Sequence, residues 1–196
     1  MSREYFNEKA CIWDELIAEK DGRRLARLAR FLNIGPSSTV LDVGTGTGVF
    51  LPFLVRSMGS LGRLVAIDFA ENMLARAVKK NSNGNVNYIQ ADVTFLPLPD
   101  EIFDTVVCYS SFPHFRDKLK ALREVHRVLT TEGRVFICHT SSRTAINHIH
   151  SEIPDVAGDL IPAESEMTRL LEAAGFEQAE VRDLDESYLA TAVKNG

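Results

Sequence analysis

The sequence predicts an α/β fold in which helices cover both faces of a parallel β-sheet. Apolar segments rich in β-branched residues predict strands at 39–43, 63–68, 86–90, 103–109 and 133–139. Apolar residues at helical spacing predict helices at 47–58, 71–80 and 117–129. This alternation favours a parallel sheet, because each helix returns the chain so that the next strand runs in the same direction. Right-handed crossovers then bring the carboxyl ends of the strands to one edge, where such folds bind ligands.

Composition and charge narrow the class of protein. The 196 residues fit one domain, and the formal net charge of -5 argues against a nucleic-acid backbone as the main partner. Cys11, Cys108 and Cys138 are far apart, which favours reduced thiols and a cytoplasmic location. No apolar run is long enough for a membrane span, and the first residues do not resemble a signal peptide. We expect a small-molecule partner, and the sequence leaves a monomer and a homodimer both open.

The segment before the first strand, residues 1–34, is predicted to form two helices broken near Asp21-Gly22. Apolar residues at helical spacing predict that the second helix packs on the sheet. The first part carries several aromatic residues, among them Tyr5 and Trp13. Two interpretations stay open for it, namely simple packing against the core and a mobile flap that closes over a ligand.

A glycine-rich loop follows the first strand. Its sequence is Val40-Leu41-Asp42-Val43-Gly44-Thr45-Gly46-Thr47-Gly48. Glycine is needed where the backbone adopts a positive φ or where a ligand lies against bare main chain. The helix that follows would offer N–H groups and a partial positive charge, which suit a carboxylate or a phosphate. The loop therefore predicts a nucleotide-type site, and a tight turn without a ligand is the alternative.

Acidic residues at the next two strand ends help to identify the ligand. Asp68 ends the second strand, 20 residues past Gly48, where a carboxylate can accept hydrogen bonds from both hydroxyls of a ribose. Asp92 follows the third strand and could accept from the amine of a purine. The alternatives are a helix cap for Asp68 and a turn for Asp92. The fourth strand runs into a polar and aromatic loop at 110–115.

These blocks resemble the class I S-adenosylmethionine-dependent methyltransferases, in particular the small-molecule branch that includes ubiquinone and menaquinone C-methyltransferases. The resemblance is carried by 40–48, 67–74, 91–99, 103–115, 121–129, 5–14 and 173–176. It implies a Rossmann-like three-layer αβα sandwich with a seven-stranded, mostly parallel sheet. Segments 177–182 and 187–193 would close that sheet as an antiparallel hairpin. It also implies a single domain over 1–196, with an N-terminal helical flap at 1–34 and a substrate-side lid at 141–162.

The resemblance also implies roles for individual residues. Asp42 and the main chain at Gly44 and Gly46 would hold the amino-acid end of S-adenosylmethionine, and Asp68 would hold the ribose. The remaining cofactor-binding positions are Thr45, Gly48, Phe69 against the adenine, Met73, Asp92 and Val93 at the adenine amine, and Tyr109 and Ser110 beside the methionine portion. Tyr5, Trp13 or Tyr109 could face the sulfonium by cation–π attraction, which is worth roughly 0.5–2 kcal/mol.

His114 is the candidate catalytic base, because it follows the fourth strand at the reacting edge and titrates near neutral pH. A solvent-facing histidine at a helix entry is the alternative. The related quinone enzymes often carry two adjacent histidines here, whereas this chain has one, which weakens a quinone as the acceptor.

The predicted lid carries further candidates for substrate contact. His139, Arg143 and His148 follow the fifth strand, and His150 lies two residues beyond the last of them. One reading is a metal held by imidazoles, and the other is a polar lid in which Arg143 grips an acidic group. We expect no resident metal, because residues two apart do not share a helix face.

Two other functional classes are compared with methyl transfer. An NAD(P)-dependent oxidoreductase shares the glycine loop and Asp68, but its G-x-G-x-x-G pattern requires glycine where Val49 stands. A non-catalytic protein that binds S-adenosylmethionine fits the same motifs as the enzyme. The sequence therefore predicts methyl transfer to a small-molecule acceptor, with the binding protein as the alternative.

Overall fold

The computed structural model describes residues 3–16, 21–81 and 85–196, and a seven-stranded sheet forms its centre. The strands are β1 Thr39–Val43, β2 Arg63–Asp68, β3 Val86–Gln90, β4 Phe103–Tyr109, β5 Leu129–His139, β6 Glu177–Leu184 and β7 Ser187–Val193. Their order is β3-β2-β1-β4-β5-β7-β6, with β7 antiparallel to both neighbours and every other pair parallel. The predicted fold class, including the closing hairpin, is confirmed.

Helices connect the strands and cover both faces of the sheet. They are α1 Arg3–Lys9, α2 Trp13–Leu16, α3 Gly22–Phe31, α4 Leu51–Met58, α5 Glu71–Lys80, α6 Lys118–Val128, α7 Arg143–Ser151 and α8 Glu164–Ala173. The start of α4 at Leu51 corrects the predicted start at 47. Gly48 has a φ of +78°, which a right-handed helix cannot contain. No helix in the described ranges is long and apolar enough to cross a membrane.

The alternation of side chains along β1 explains the layers. Leu41 and Val43 belong to the buried cluster that includes residues of α6 and α8, whereas Val40 belongs to the cluster that includes residues of α3 and α4. Successive side chains of a strand point to opposite faces, so Asp42 lies on the same face as Val40. Asp42 is thereby placed in the body of the protein next to the glycine loop.

The N-terminal segment lies against α5, next to the carboxyl edge of the sheet. Arg3 Nε is 2.8 Å from Glu71 Oε2, and Lys80 Nζ is 2.6 Å from Asp14 Oδ2. After residues 17–20, which lie outside the described ranges, α3 begins at Gly22 with Asp21 as its N-cap. The start of the second helix is thus confirmed. The idea that the first part is a mobile flap stays a prediction.

Candidate active site

A cavity of about 880 Å³ opens at the carboxyl edge of the sheet, between the strand ends, α1 and the lid. Most of the site residues predicted from the sequence line it: Tyr5, Trp13, Gly44, Thr45, Gly46, Asp68, Phe69, Met73, Asp92, Val93, Tyr109, Ser110, His114 and His139. Asp42, Gly48, Arg143 and His148 do not line it. One space therefore joins the predicted cofactor residues to the predicted base.

Main-chain N–H groups of the glycine loop donate hydrogen bonds to the end of the neighbouring strand β2. Gly44 N and Thr45 N both donate to the carbonyl oxygen of Ile67 at 2.9 Å, and Gly46 N donates to Asp68 Oδ2 at 2.8 Å. Among the hydrogen bonds of the described residues, none engages the carbonyl oxygens of Gly44 and Gly46. The loop thus offers acceptors to a ligand, which suit an ammonium group better than a phosphate.

Asp42 is buried beneath this loop and does not touch the cavity. Burial raises the pKa of its carboxyl to about 7, the nearby Thr45 side chain opposes the rise, and the nearby charge of Asp68 adds to it. This corrects the predicted direct contact with the amino-acid end of the cofactor, because Asp42 lies inside β1, one residue before that strand ends, and is only 2% exposed.

Gly48 has a packing role instead of a ligand contact. A Cβ at this position would lie 2.6 Å from Asn81 Nδ2 and 3.1 Å from the Cβ of Ala77. Asn81 also donates to the carbonyl oxygen of Gly48 at 3.2 Å. The residue thus lets α5 approach the loop closely, and this corrects its predicted place in the cofactor site.

Asp68 accepts a main-chain hydrogen bond with each of its two carboxylate oxygens, and the residue also lines the cavity. Oδ2 accepts from Gly46 N and Oδ1 from Ala70 N, each at 2.8 Å. A carboxylate has about four lone-pair sites, so acceptor capacity is left for a ligand. Burial raises its pKa to about 6, while the hydrogen bonds from the main chain counteract that rise.

Asp92 combines the predicted turn role with a position at the cavity. Its Oδ1 accepts from both the main-chain N and the Oγ1 of Thr94 at 2.8 Å. Oδ2 is not part of that turn. The two readings of Asp92 are therefore compatible, because the turn fixes one oxygen and leaves the other for a ligand.

Phe6 is the centre of an aromatic group over the cavity. Its ring centroid lies 5.3–5.6 Å from those of Tyr5, Trp13, Phe69 and His114, all in edge-to-face geometry. Such geometry is favourable for aromatic pairs. Two of these neighbours in the N-terminal segment, Tyr5 and Trp13, were predicted from the sequence, whereas Phe6 was not. Phe6 and Ala10 are four residues apart, as on one face of a helix, and both are buried, so this spacing was the sequence signal for Phe6.

The end of β4 presents two predicted residues, Tyr109 and Ser110, next to His139 at the end of β5, and Ser110 is in a strained conformation. Ser110 has a φ of +51°, and its N donates to the carbonyl oxygen of Cys138 at 2.9 Å. Its Oγ lies 3.3 Å from Nδ1 of His139, which is buried. Tyr109 stacks on Phe50 at 4.6 Å. A left-handed conformation in a residue other than glycine is often found at functional sites.

His114 forms a pair with a lid residue that no sequence motif indicated. Its Nδ1 is 2.9 Å from Oδ2 of Asp159, and both side chains are largely buried. Burial lowers the pKa of His114, the hydrogen bond to the carboxylate of Asp159 opposes this, and the nearby His150 and His139 lower the pKa further. The imidazole is therefore neutral near pH 7, as a general base requires.

The helix α7 divides the lid residues into two groups. His150 lines the cavity, whereas His148 is exposed and lies 3.6 Å from Glu152. Arg143 is also outside, with its main-chain N bound to Asp183. This corrects the predicted substrate contacts of Arg143 and His148. For His148 the reason is helical periodicity, which turns residues two apart to different faces. Arg143 is the first residue of α7 and is held at Asp183 of β6.

Within 3–16, 21–81 and 85–196, no group of three or more His, Cys, Asp or Glu side chains has the arrangement of a metal site. The two imidazoles beside Asp159 are each bound to it through Nδ1.

Comparisons with known proteins agree with this geometry. Residues 41–137 match a family described as a methyltransferase domain. The chain is 38% identical over 107 residues to ubiquinone/menaquinone biosynthesis C-methyltransferases of Enterobacter sp. and Escherichia coli. That match covers 53% of this chain and 43% of each relative, so the chain spans less than half the length of these curated relatives.

Solved structures share the fold over nearly the whole chain. A Haloferax volcanii methyltransferase, solved in complex with the Trm112 methyltransferase activator, has a TM-score of 0.82 at 19% identity and covers 97% of this chain and 98% of its own. A methyltransferase from Aquifex aeolicus has a TM-score of 0.74 at 24% identity, with 98% of both chains covered. These structures thus share the Rossmann-like fold of this chain.

The chain carries a methyltransferase domain at 41–137, and together these comparisons support a class I S-adenosylmethionine-dependent methyltransferase with S-adenosylmethionine as its cofactor. The residues present fit that cofactor. Gly46 lines the cavity with a φ of +55°, and a Cβ there would find its nearest atom, Trp13 Nε1, only at 4.0 Å. Bare main chain at Gly46 therefore borders open space where the amino-acid end of the cofactor would lie.

Proposed function

We propose that the protein transfers a methyl group from S-adenosylmethionine to a small-molecule acceptor that is bound beneath the α7 lid. The observation that carries this proposal is the continuous cavity of about 880 Å³ from the glycine loop to His114. Ligand pockets span roughly 300–1,000 Å³, so this one is near the upper end of the range. It has room for two ligands side by side.

The strand ends would hold the cofactor. Asp68 would accept from the ribose hydroxyls, Phe69 would pack on the adenine, and Asp92 would accept from the adenine amine with help from Val93. Ser110, together with Thr45, Met73 and Tyr109, would line the methionine portion. The main-chain acceptors at Gly44 and Gly46 would receive the ammonium group. Asp42, buried beneath them with a pKa of about 7, would add negative potential at that point in its ionised form.

The lid half of the cavity supports an apolar acceptor with a transferable proton. Ile146, Ile149, Ile153 and Val156 line it together with Phe115. An apolar wall binds an apolar body, and the neutral imidazole of His114 can accept the proton of an O–H or N–H group.

When bound, the cofactor supplies a methyl group on a sulfonium centre that is already a good leaving group. The protein's own work is therefore alignment and proton removal. The flap aromatics Tyr5 and Trp13 would exclude water and face the sulfonium charge. His114 would accept the proton that the acceptor loses.

A labelled-transfer experiment tests the proposal. The protein is incubated with S-adenosylmethionine labelled in its methyl group and a small-molecule extract, and labelled product is followed by chromatography and mass spectrometry. We expect labelled small molecules with the native protein. Their rate of formation should fall by about 10²–10⁴ in His114→Ala, the usual contribution of a general base. His148→Ala is the matched control, because this exposed imidazole lies on the same lid but outside the cavity.

Two results would contradict the proposal. Absence of any labelled product despite cofactor binding in calorimetry would favour the non-catalytic binding protein. Label found only in macromolecules would overturn the small-molecule acceptor while leaving methyl transfer in place.

A further inference from the structure

Asp159 holds two histidines at the acceptor end of the cavity. It follows the short 3₁₀ helix Pro154–Val156, and its side chain is 17% exposed. Its carboxylate Oδ2 is 2.9 Å from Nδ1 of His114. Its main-chain carbonyl oxygen is hydrogen-bonded to Nδ1 of His150. The two imidazole centroids lie 5.0 Å apart, so one lid residue anchors both rings through different oxygens.

The acceptor character of both oxygens determines where the ring protons lie. A carbonyl oxygen can only accept, so Nδ1 of His150 must donate. Burial would raise the pKa of Asp159, but the hydrogen bond and charge of His114 and the charge of Lys118 hold it below its ordinary range. The carboxylate is therefore ionised and also only accepts, so Nδ1 of His114 donates as well. Each neutral ring then carries its lone pair on Nε2.

We propose that Asp159 is a positioning residue that fixes His114 and His150 in the Nδ1–H tautomer, so that both Nε2 lone pairs serve the methyl acceptor. This inference rests on the proposed function. In the reaction, an acceptor O–H or N–H loses its proton to Nε2 of His114. The acceptor's oxygen or nitrogen forms the new bond to the methyl carbon, and the electron pair of the broken C–S bond stays on sulfur. The carboxylate of Asp159 then stabilises the imidazolium.

The groups that face His114 come from several elements. Asp159 and His150 approach from the lid, His139 from the end of β5, and Lys118 of α6 lies near Asp159. Asp159 is the negative charge among them that raises the pKa of His114. Its removal must therefore lower that pKa further.

Nitrogen NMR of the full chain with ¹⁵N-labelled histidine tests the proposal without an acceptor. The sequence has five histidines, and the signals of His114 and His150 are assigned by substituting each one. In the native protein we expect both rings as Nδ1–H tautomers. In Asp159→Ala, His114 should shift towards the Nε2–H tautomer and titrate at lower pH. His150 should keep its tautomer, because its partner is the main-chain carbonyl.

Asp155→Ala is the matched control, since this lid carboxylate also lines the cavity but makes no contact with either imidazole that the structure records. It should leave both tautomers unchanged. Asp159→Asn is the second variant if the alanine variant does not fold. Its amide oxygen can still accept from Nδ1, so the pKa of His114 should fall while the tautomer persists.

Three results would overturn the inference. They are an Nε2–H tautomer for His114 in the native protein, a His114 tautomer and pKa that Asp159→Ala leaves unchanged, and an equal response to Asp155→Ala. Calorimetry with S-adenosylhomocysteine on the same samples separates this inference from the proposed function. If the native protein does not bind S-adenosylhomocysteine, the proposed methyl transfer is refuted. The role of Asp159 is decided by the histidine tautomers alone.

Discussion

Two glycines of the same loop should respond differently to an added methyl group. Gly44 and Gly46 both have positive φ, so alanine at either position costs about 1–2 kcal/mol for the left-handed conformation. At Gly44 the new Cβ would also lie 2.5 Å from the Cβ of Ser111, whose Oγ is bound to the carbonyl oxygen of Val43. Overpacking adds roughly 1–3 kcal/mol. Gly44→Ala should therefore reduce the free energy of unfolding by about 2–5 kcal/mol.

Gly46→Ala should cost about 1–2 kcal/mol, because the nearest atom to its Cβ is 4.0 Å away. Its methyl group would instead enter the cavity and weaken cofactor binding. Urea unfolding measures the first effect, and calorimetry with S-adenosylhomocysteine measures the second. For a chain of this size, each kcal/mol lowers the Tm by roughly 2–4 °C.

Equal stability of Gly44→Ala and Gly46→Ala would contradict the predicted clash with Ser111. The clash would also be contradicted if Ser111→Gly, introduced into the Gly44→Ala chain, did not recover part of the lost stability. The recovery should be incomplete, because the hydrogen bond from Ser111 to Val43, worth about 1 kcal/mol, is lost as well.

Three further changes test the cofactor half of the site. Asp68→Asn should weaken S-adenosylhomocysteine binding by about 1.5–3 kcal/mol, roughly 10- to 150-fold, because a charged acceptor is lost; an unchanged Kd in calorimetry would contradict the assignment. Asp42 has a folded-state pKa of about 7, above its unfolded value, so the folded protein holds this proton between pH 4 and 7 and loses stability as pH rises through that window. Asp42→Asn should remove that slope in urea unfolding at pH 4.5 to 7.5, and parallel curves would refute the burial argument. Phe6→Ala should reduce the fluorescence change of Trp13, the single tryptophan, on cofactor binding and raise the Kd about tenfold, since aromatic contacts of about 0.5–1.5 kcal/mol are lost; an unaltered signal would mean that Phe6 does not order the flap.

The cofactor half of the site could be predicted from the sequence because its residues follow strands directly. Asp68 and Ser110 each stand at the end of a strand whose apolar run is plain in the sequence, and parallel pairing brings such ends together. The burial of Asp42 could not be predicted in this way. It belongs to the same motif but lies inside β1, one residue before the strand ends, and only the residues beyond it reach the cavity.

The acceptor half could not be predicted in the same way, because its residues meet only in the folded chain. His114 and Asp159 are 45 positions apart, and no motif surrounds Asp159. The choice between His148 and His150 depends on the phase of α7, which begins at Arg143 behind a Ser142 cap. A shift of one residue in that start would rotate both imidazoles by about 100° around the helix axis.

The main-chain hydrogen bonds of the glycine loop distinguish S-adenosylmethionine from a dinucleotide better than the glycine pattern does. A dinucleotide-binding loop has to leave N–H groups for a pyrophosphate. Here Ile67 and Asp68, at the end of the neighbouring strand, accept the N–H groups of Gly44, Thr45 and Gly46. What lines the cavity is therefore main chain whose N–H groups are already used, next to the carboxylate of Asp68, which repels a phosphate and attracts an ammonium or a sulfonium. The same spacing of glycines can thus serve ligands of opposite charge, and the strand beside the loop determines which.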